Sequence, residues 1–445
     1  VLPLAILATG RSDGRGVWDG SPNRKTWNAI DRIPLLGYRQ GTLAPGFPTQ
    51  GHAMSRLVRY CPVAAFCLGL FITSAVTAAD RAMPVVPDGF RIEKVAGPGL
   101  VERPVHASVD DQGRLYVVDS AGVYFGAEEL AKVKPHKIVR LEDTNGDGRF
   151  DRRVVFSEGI TLPMGVLCYR DVVYVASPPA VWMMKDTDGD GKADKQTVLA
   201  DKLHLPTGIE LGDGGAYVAQ QPNPMSLKDT DGDDKADIRE VLFTGWGIGD
   251  THAGPSNLRY GFDNWIYGTV GYARFNGTIN GEKQNFGMGV FRFRSDGSDI
   301  EFLHQFNNNT WGMGFNAGGD VFGSTANNNP TFFGGIPATV YSGDKKMSAK
   351  MIADSPYFHP ITPNIRQVDA FNAYTAGCGH AFATSAGFPK KYRNGTAFVC
   401  GPTGNLLGTY RMEKKGAGYV AKNSFSFVAS ADEWFSPIVA EVGPD

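Results

Sequence analysis

Asp186-Thr-Asp188-Gly-Asp190-Gly-Lys-Ala-Asp194 occurs three times in slightly altered form. The other copies are Asp143-Thr-Asn145-Gly-Asp147-Gly-Arg-Phe-Asp151 and Asp229-Thr-Asp231-Gly-Asp233-Asp-Lys-Ala-Asp237. Successive first aspartates stand 43 residues apart. The same offset carries Leu162-Pro163 onto Leu205-Pro206, Gly165 onto Gly208, and Val173-Tyr-Val-Ala176 onto Ala216-Tyr-Val-Ala219. A strand-bearing unit is being copied, and its acidic loop travels with it. A period of this length is that of one four-stranded propeller blade.

The rest of the chain agrees with an all-β reading. It has 56 Gly and 27 Pro in 445 residues, many short apolar runs, and one stretch, Lys345–Met351, that reads as a short helix. Short strand patterns outside the repeat include Arg114–Asp119, Asn264–Thr269 and Asp320–Ser324. The predicted architecture is a β-propeller of six or seven blades. Inner strands are expected to begin near Pro104, Leu162, Leu205, Pro255, Trp311, Gly377 and Pro437, with the last blade truncated.

A net charge of −2 without a basic stripe speaks against nucleic-acid binding. Met54-Ser-Arg-Leu-Val-Arg59 is a basic lead into the apolar run Cys61–Val76, and Val76-Thr-Ala78 fits the small-residue cleavage rule. The reading is a signal peptide over 54–78, an upstream extension over 1–53 that precedes the true start, and a mature domain over 79–445, incomplete at its C-terminus. Export to the periplasm or cell envelope follows. Three cysteines then remain, Cys168, Cys378 and Cys400. Cys378 and Cys400 flank one strand-turn-strand stretch and are the candidate disulfide, worth about 3 kcal/mol for a loop of this size; two buried thiols are the alternative. No Cys-x-x-Cys-His haem site occurs.

In each acidic loop, positions 1, 3 and 5 offer side-chain oxygens, position 7 a carbonyl and position 9 a carboxylate, a set that suits a hard divalent cation. Calcium is therefore expected at Asp143, Asn145, Asp147 and Asp151, at Asp186, Asp188, Asp190 and Asp194, and at Asp229, Asp231, Asp233 and Asp237, in a structural role. Three or four carboxylates on one turn repel one another without a counter-ion. The third copy has Asp234 where the others have Gly148 and Gly191, which predicts local strain. At position 12 the loops carry Val154, Thr197 and Glu240, and their flanks read as strands. They resemble the calcium loops of integrin-type propellers.

One further stretch stands out: Asp250-Thr-His252-Ala-Gly-Pro-Ser-Asn-Leu-Arg-Tyr-Gly261, running on to Asn264-Trp-Ile-Tyr267-Gly-Thr269-Val-Gly271. A histidine just ahead of an inner strand is placed to act as a general base near neutral pH. The stretch resembles the signature of soluble quinoprotein glucose and sorbosone dehydrogenases. Their Arg-Asn-Pro-x-Gly turn is matched here by Asn308-Asn309-Thr310-Trp311-Gly312. A closer resemblance covers about Pro87 to the end, to the membrane-bound dehydrogenase domain common in planctomycetes. It rests on Val86–Phe90, the acidic loops, Cys378-Gly379, Phe388–Pro402 and Trp434–Pro437.

The resemblance implies that His252 takes a proton from a sugar or polyol hydroxyl. It also implies that Asn309 and Gly312 border a pyrroloquinoline quinone (PQQ) site, and that electrons pass to a c-type cytochrome outside this chain. Two other classes stay open. One is a calcium-dependent lactonase-type hydrolase using amides of Asn307–Asn309 and Asn327–Asn329. The other is a non-catalytic module that binds a glycan or a partner through Trp246, Trp265, Trp311 and Trp434.

Overall fold

The structure, a computed structural model, describes residues 83–250, 252–335, 350–357, 375–432 and 435–442. The expected signal segment, the extension before it, Trp434, Gly443–Asp445 and most of the expected helix at Lys345–Met351 lie outside these residues.

The described chain is a β-propeller. Six antiparallel sheets follow one another along the sequence. Blade 1 comprises Pro104–Val109, Leu115–Asp119, His136–Glu142 and Arg152–Ile160. Blade 2 comprises Gly165–Tyr169, Val172–Ser177, Ala180–Lys185 and Lys195–Ala200, and blade 3 Leu205–Gly212, Gly215–Gln221, Met225–Lys228 and Ile238–Val241. Blade 4 comprises Pro255–Tyr260, Trp265–Val270, Gly289–Arg294 and Ile300–Gln305, with a hairpin, Phe275–Ile279 and Glu282–Phe286, inserted after its second strand. Blade 5 shows three strands, Thr310–Phe315, Val321–Thr325 and Phe332–Phe333. Blade 6 comprises Cys378–Phe382, Thr396–Gly401, Leu406–Lys415 and Gly418–Ala429.

Why these residues form blades is visible in their second strands. Leu115–Asp119, Trp265–Val270 and Val321–Thr325 are buried at every position, as strands packed on both faces must be. Apolar side chains of neighbouring blades then share cores. Tyr116, Val118 and Phe156 of blade 1 pack with Val166, Val173 and Val175 of blade 2, and Tyr217 of blade 3 packs with Ile266 and Phe293 of blade 4. Val85 exchanges two backbone hydrogen bonds with Ala429, so the segment ahead of blade 1 pairs with the outermost strand of blade 6.

Six of the seven expected inner strands are present within three residues of where the sequence placed them. The seventh, near Pro437, is not a strand. Residues 436–442 instead lie against blade 6, where Ala440 and Val442 join the cluster around Phe398 and Phe427. A helix at Ala127–Val133, between the second and third strands of blade 1, went unread because its seven residues bury no side chain and so carry no apolar stripe.

Strand order gives the molecule two faces. The connections between blades, and those from second to third strand, lie on one face, here called the mouth. The connections from first to second and from third to fourth strand lie on the other. All three acidic loops join third to fourth strands, in blades 1 to 3, and so lie opposite the mouth.

Candidate functional site at the mouth of the propeller

His252 sits on the connection from blade 3 to blade 4. Its side chain is 72% exposed, and its Nδ1 lies 2.8 Å from Asp250 Oδ1. Asp250 is held in turn by the buried Gln221 of blade 3, whose Nε2 donates to the Asp250 carbonyl at 2.7 Å. Beyond His252, the Ala253 carbonyl accepts the N–H groups of Gly271 and Ala273. The histidine is thus exposed, yet its backbone is tied on both sides. Donation of Nδ1–H to the carboxylate leaves the Nε2 lone pair facing solvent, the arrangement a general base needs. Sequence reading found His252 but not the roles of Asp250 and Gln221. An acid two residues before the histidine was the one local signal; Gln221 had none.

The start of blade 5, the connection leading into it and a loop of blade 4 lie beside His252. Trp311 is partly exposed, with its ring centroid 6.3 Å from that of His252. Tyr272 donates its hydroxyl to Asn308 Oδ1 at 3.1 Å, and the same oxygen accepts the Asn309 N–H at 2.8 Å. Of the described tryptophans considered as stacking platforms, Trp311 is the one that borders His252. Trp246 is buried against Phe275 and Phe291, and Trp265 is covered by the guanidinium groups of Arg292 and Arg294.

Asn309 and Gly312 are near His252 in the fold but turned inward. Asn309 is buried, and its Oδ1 lies where a side chain on Gly271 would stand. Gly312 is where blade 5 meets blade 6: a Cβ there would come within 2.8 Å of the Gly379 backbone. Asn329, from the second expected amide run, is completely buried. Asn309 Oδ1 and both polar atoms of the Asn329 side chain have no hydrogen-bond partner in the protein, and no clustered carboxylate accompanies them among the described residues.

On the opposite face, carboxylate oxygens of Asp186, Asp188 and Asp190 converge within 4.8 Å of one another, as do those of Asp229, Asp231 and Asp237. In the first loop, Asp143 accepts the N–H groups of Gly146 at 2.7 Å and Gly148 at 2.8 Å, contacts that hold its carboxyl below the usual range. Asp151, Asp194 and Asp237 each accept from the N–H and hydroxyl of the threonine at position 2, closing their loops. Asp147 caps the N–H of Arg149, and Asp233 is taken up by Lys235.

The loops of blades 2 and 3 also bind each blade to its predecessor, and that of blade 1 binds the segment ahead of it. Phe150, Ala193 and Ala236, again 43 residues apart, donate their N–H groups to the carbonyls of Val95, Phe156 and Leu199. Arg140 of blade 1 donates to Asp186 at 2.7 Å. Burial opposes the Asp186 charge, but Arg140 and the Gly189 and Gly191 N–H groups outweigh it and hold the carboxyl low. Asp234, expected to be a strained departure, does adopt the left-handed conformation at φ 67°. Its side chain is nevertheless buried between Lys185 at 2.7 Å and Lys195 at 2.5 Å, both from blade 2. Burial alone would raise its pKa; the two ammonium groups lower it.

The expected disulfide is not formed. Cys378 and Cys400 are cross-strand partners at the start of blade 6, yet both are free thiols. Burial pushes the Cys378 thiol up to about 12 and raises that of Cys400 well above its ordinary value, so neither offers a thiolate at neutral pH.

Fold and site together describe a β-propeller with an exposed Asp–His pair at one face and acidic loops at the other. Residues 78–199 and 181–445 match a family described as a domain of unknown function, DUF7133, and the chain belongs to that family. No curated protein matches it. Among solved structures, it is similar to a protein described as a 6-phosphogluconolactonase from Bacteroides uniformis, at 11% identity and a TM-score of 0.43, covering 76% of this chain and 89% of that one. It is also similar to a catalytically inactive virginiamycin B lyase from Staphylococcus aureus, at 12% identity and a TM-score of 0.42, covering 79% and 93%. These likenesses are too distant to bear on chemistry.

Proposed function

We propose that this chain is an exported, calcium-stabilised propeller enzyme that oxidises a hydroxyl of a sugar or polyol at its mouth, with His252 as general base. The observation that carries the reading is the 2.8 Å contact from Asp250 to Nδ1 of an imidazole whose side chain is 72% exposed. Asp250 fixes the tautomer, so Nε2 takes the hydroxyl proton while Trp311 offers a ring face to the carbon skeleton. As the alcohol becomes a carbonyl, the carbon-bound hydrogen leaves with its electron pair to a diffusible two-electron acceptor of the phenazine class, which is reduced and then releases its electrons one at a time. A separate c-type cytochrome is the proposed physiological sink. At the other face, the convergent carboxylates of the second and third loops favour calcium, and the first loop follows by its matching sequence.

At the one position that the resemblance aligns with the quinone-holding arginine, the residues present do not fit pyrroloquinoline quinone. Its three carboxylates call for guanidinium or ammonium partners. The position where the resembling enzymes carry arginine is Asn308, whose Oδ1 is already committed to Tyr272 and the Asn309 N–H. No step is assigned to the quinone.

The test is dye-linked oxidation of a sugar and polyol panel by the calcium-loaded protein. His252→Gln is expected to lower turnover roughly 10²–10⁴-fold with an unchanged melting temperature. Full activity in that variant, lactone hydrolysis without an acceptor, or binding with no turnover would each overturn the proposal.

A further inference from the structure

The propeller axis holds a second group of charged residues, far from the acidic loops. Arg259 lies on the inner strand of blade 4, and its Nη2 is 3.0 Å from Oε1 of Glu441. Both side chains are about half exposed, at 48% and 60%. Glu441 belongs to residues 436–442, which form no strand and pack on blade 6 through Ala440 and Val442. His106, on the inner strand of blade 1, feels the charges of both Glu441 and Arg259. Side chains from blades 1 and 4 and from a segment seated on blade 6 can interact in this way only across the axis.

His106 is exposed to solvent on its strand, and its Nδ1 accepts the Val166 N–H at 3.4 Å, so in the neutral ring Nε2 carries the proton. Desolvation by the surrounding strands lowers its pKa. Glu210 of blade 3 lies near Arg259, and burial pushes its carboxyl up to about 7, against the pull of that guanidinium. Below that pH it is largely protonated and leaves the Arg259 charge to another anion. Tyr260 is the other titratable group facing Glu210.

We propose that Arg259 anchors a carboxylate-binding subsite on the propeller axis, occupied in this structure by the chain's own Glu441, and that the subsite takes a small sugar acid. Glu441 shows what the site accepts: a carboxylate presented from the axis to a guanidinium. It is displaceable, since an ion pair this exposed contributes little to stability. A free sugar acid brings the same carboxylate together with hydroxyls for the His106 N–H and for Glu210.

The test is calorimetric titration of the full chain at pH 6 with D-gluconate, and with sorbitol as the uncharged counterpart. Glu441→Gln is expected to bind gluconate about two- to fivefold more tightly than the unchanged protein. Adding Arg259→Gln to that variant abolishes binding, Arg259→Lys keeps part of it, and sorbitol binds in none. His252→Gln leaves gluconate binding unchanged, which separates this subsite from the oxidation reading. Equal affinity with and without Glu441, retention of binding without Arg259, or equal binding of sorbitol would overturn the proposal. Because both side chains are half exposed, the variants should fold, and their melting curves check this.

Discussion

Blades 1 to 3 and blades 4 to 6 are built from the same four-stranded unit but have been used differently. In the first half the unit is copied almost literally. Its polar residues sit on the third-to-fourth turns, where they close loops and clamp one blade to the previous one. In the second half the copies diverge. A hairpin is inserted into blade 4, and polar side chains gather at the mouth and beneath it: His252, Asn308, Asn309 and Asn329. Repetition marks the residues that clamp neighbouring blades; departure from it marks the polar residues gathered at and beneath the mouth.

The largest expected effect that would break this comparison is at the seam between blades 2 and 3. Asp234→Ala leaves Lys185 and Lys195 facing a buried position with no countercharge. Loss of one member of a buried pair costs about 3 kcal/mol, less here because both lysines reach solvent. A fall of several degrees in melting temperature is expected, and a fall under one degree would remove Asp234 from the clamp. In the other half, Gly271→Ala forces a Cβ onto Asn309 Oδ1, which lies 1.6 Å from the ideal position. Overpacking of this kind costs about 1–3 kcal/mol, and it should lower dye-linked activity as well as stability, because Gly271 also braces the Ala253 carbonyl beside His252.

The acidic loops and the inner-strand carboxyl of Glu210 should respond to pH in opposite directions. Asp186 and Asp234 have lowered pKa values in the fold. The stability they contribute is complete above about pH 4, the unfolded value, and is lost as pH falls through the folded one. Glu210, at the seam of blades 3 and 4, is raised from 4.5 to about 7. The folded state there holds a proton the unfolded state has released, so stability falls as pH rises from 4.5 towards 7. Glu210→Gln should remove that decline, gaining on the order of 1 kcal/mol at pH 8. Denaturant unfolding at pH 5 and 8 measures it, and an equal gain at both would assign the effect to packing.

Much of the architecture was legible because a repeat makes tertiary structure local. Once Asp143, Asp186 and Asp229 are aligned, strand starts, loop position and seam order all follow from one unit. Contacts that join residues with no shared pattern leave no such trace. Arg259 and Glu441 are 182 residues apart, and nothing in either neighbourhood announces the other. Gln221 was equally silent, since its role depends on where the blade 3 turn meets the next connection. Asp234 is a mixed case. Its left-handed backbone was readable from the glycines at matching positions, but its burial and its two lysines were not, because those lysines belong to the preceding copy. Pro437 misled for a related reason: a strand-like pattern becomes a strand only with a hydrogen-bonding neighbour, and residues 436–442 pack by side chains instead.

The central claim is that the repeated acidic loops are cation sites that serve the fold, and that chemistry is confined to the mouth. Calorimetric titration of calcium into chelator-treated protein tests it most directly, using the unchanged chain, Asp188→Asn/Asp190→Asn and His252→Gln. The account predicts a stoichiometry matching the number of acidic loops, one site fewer in the double variant, the full number in His252→Gln, and a higher melting temperature on saturation. Absence of calcium binding by folded protein, or loss of a site in His252→Gln, would contradict it.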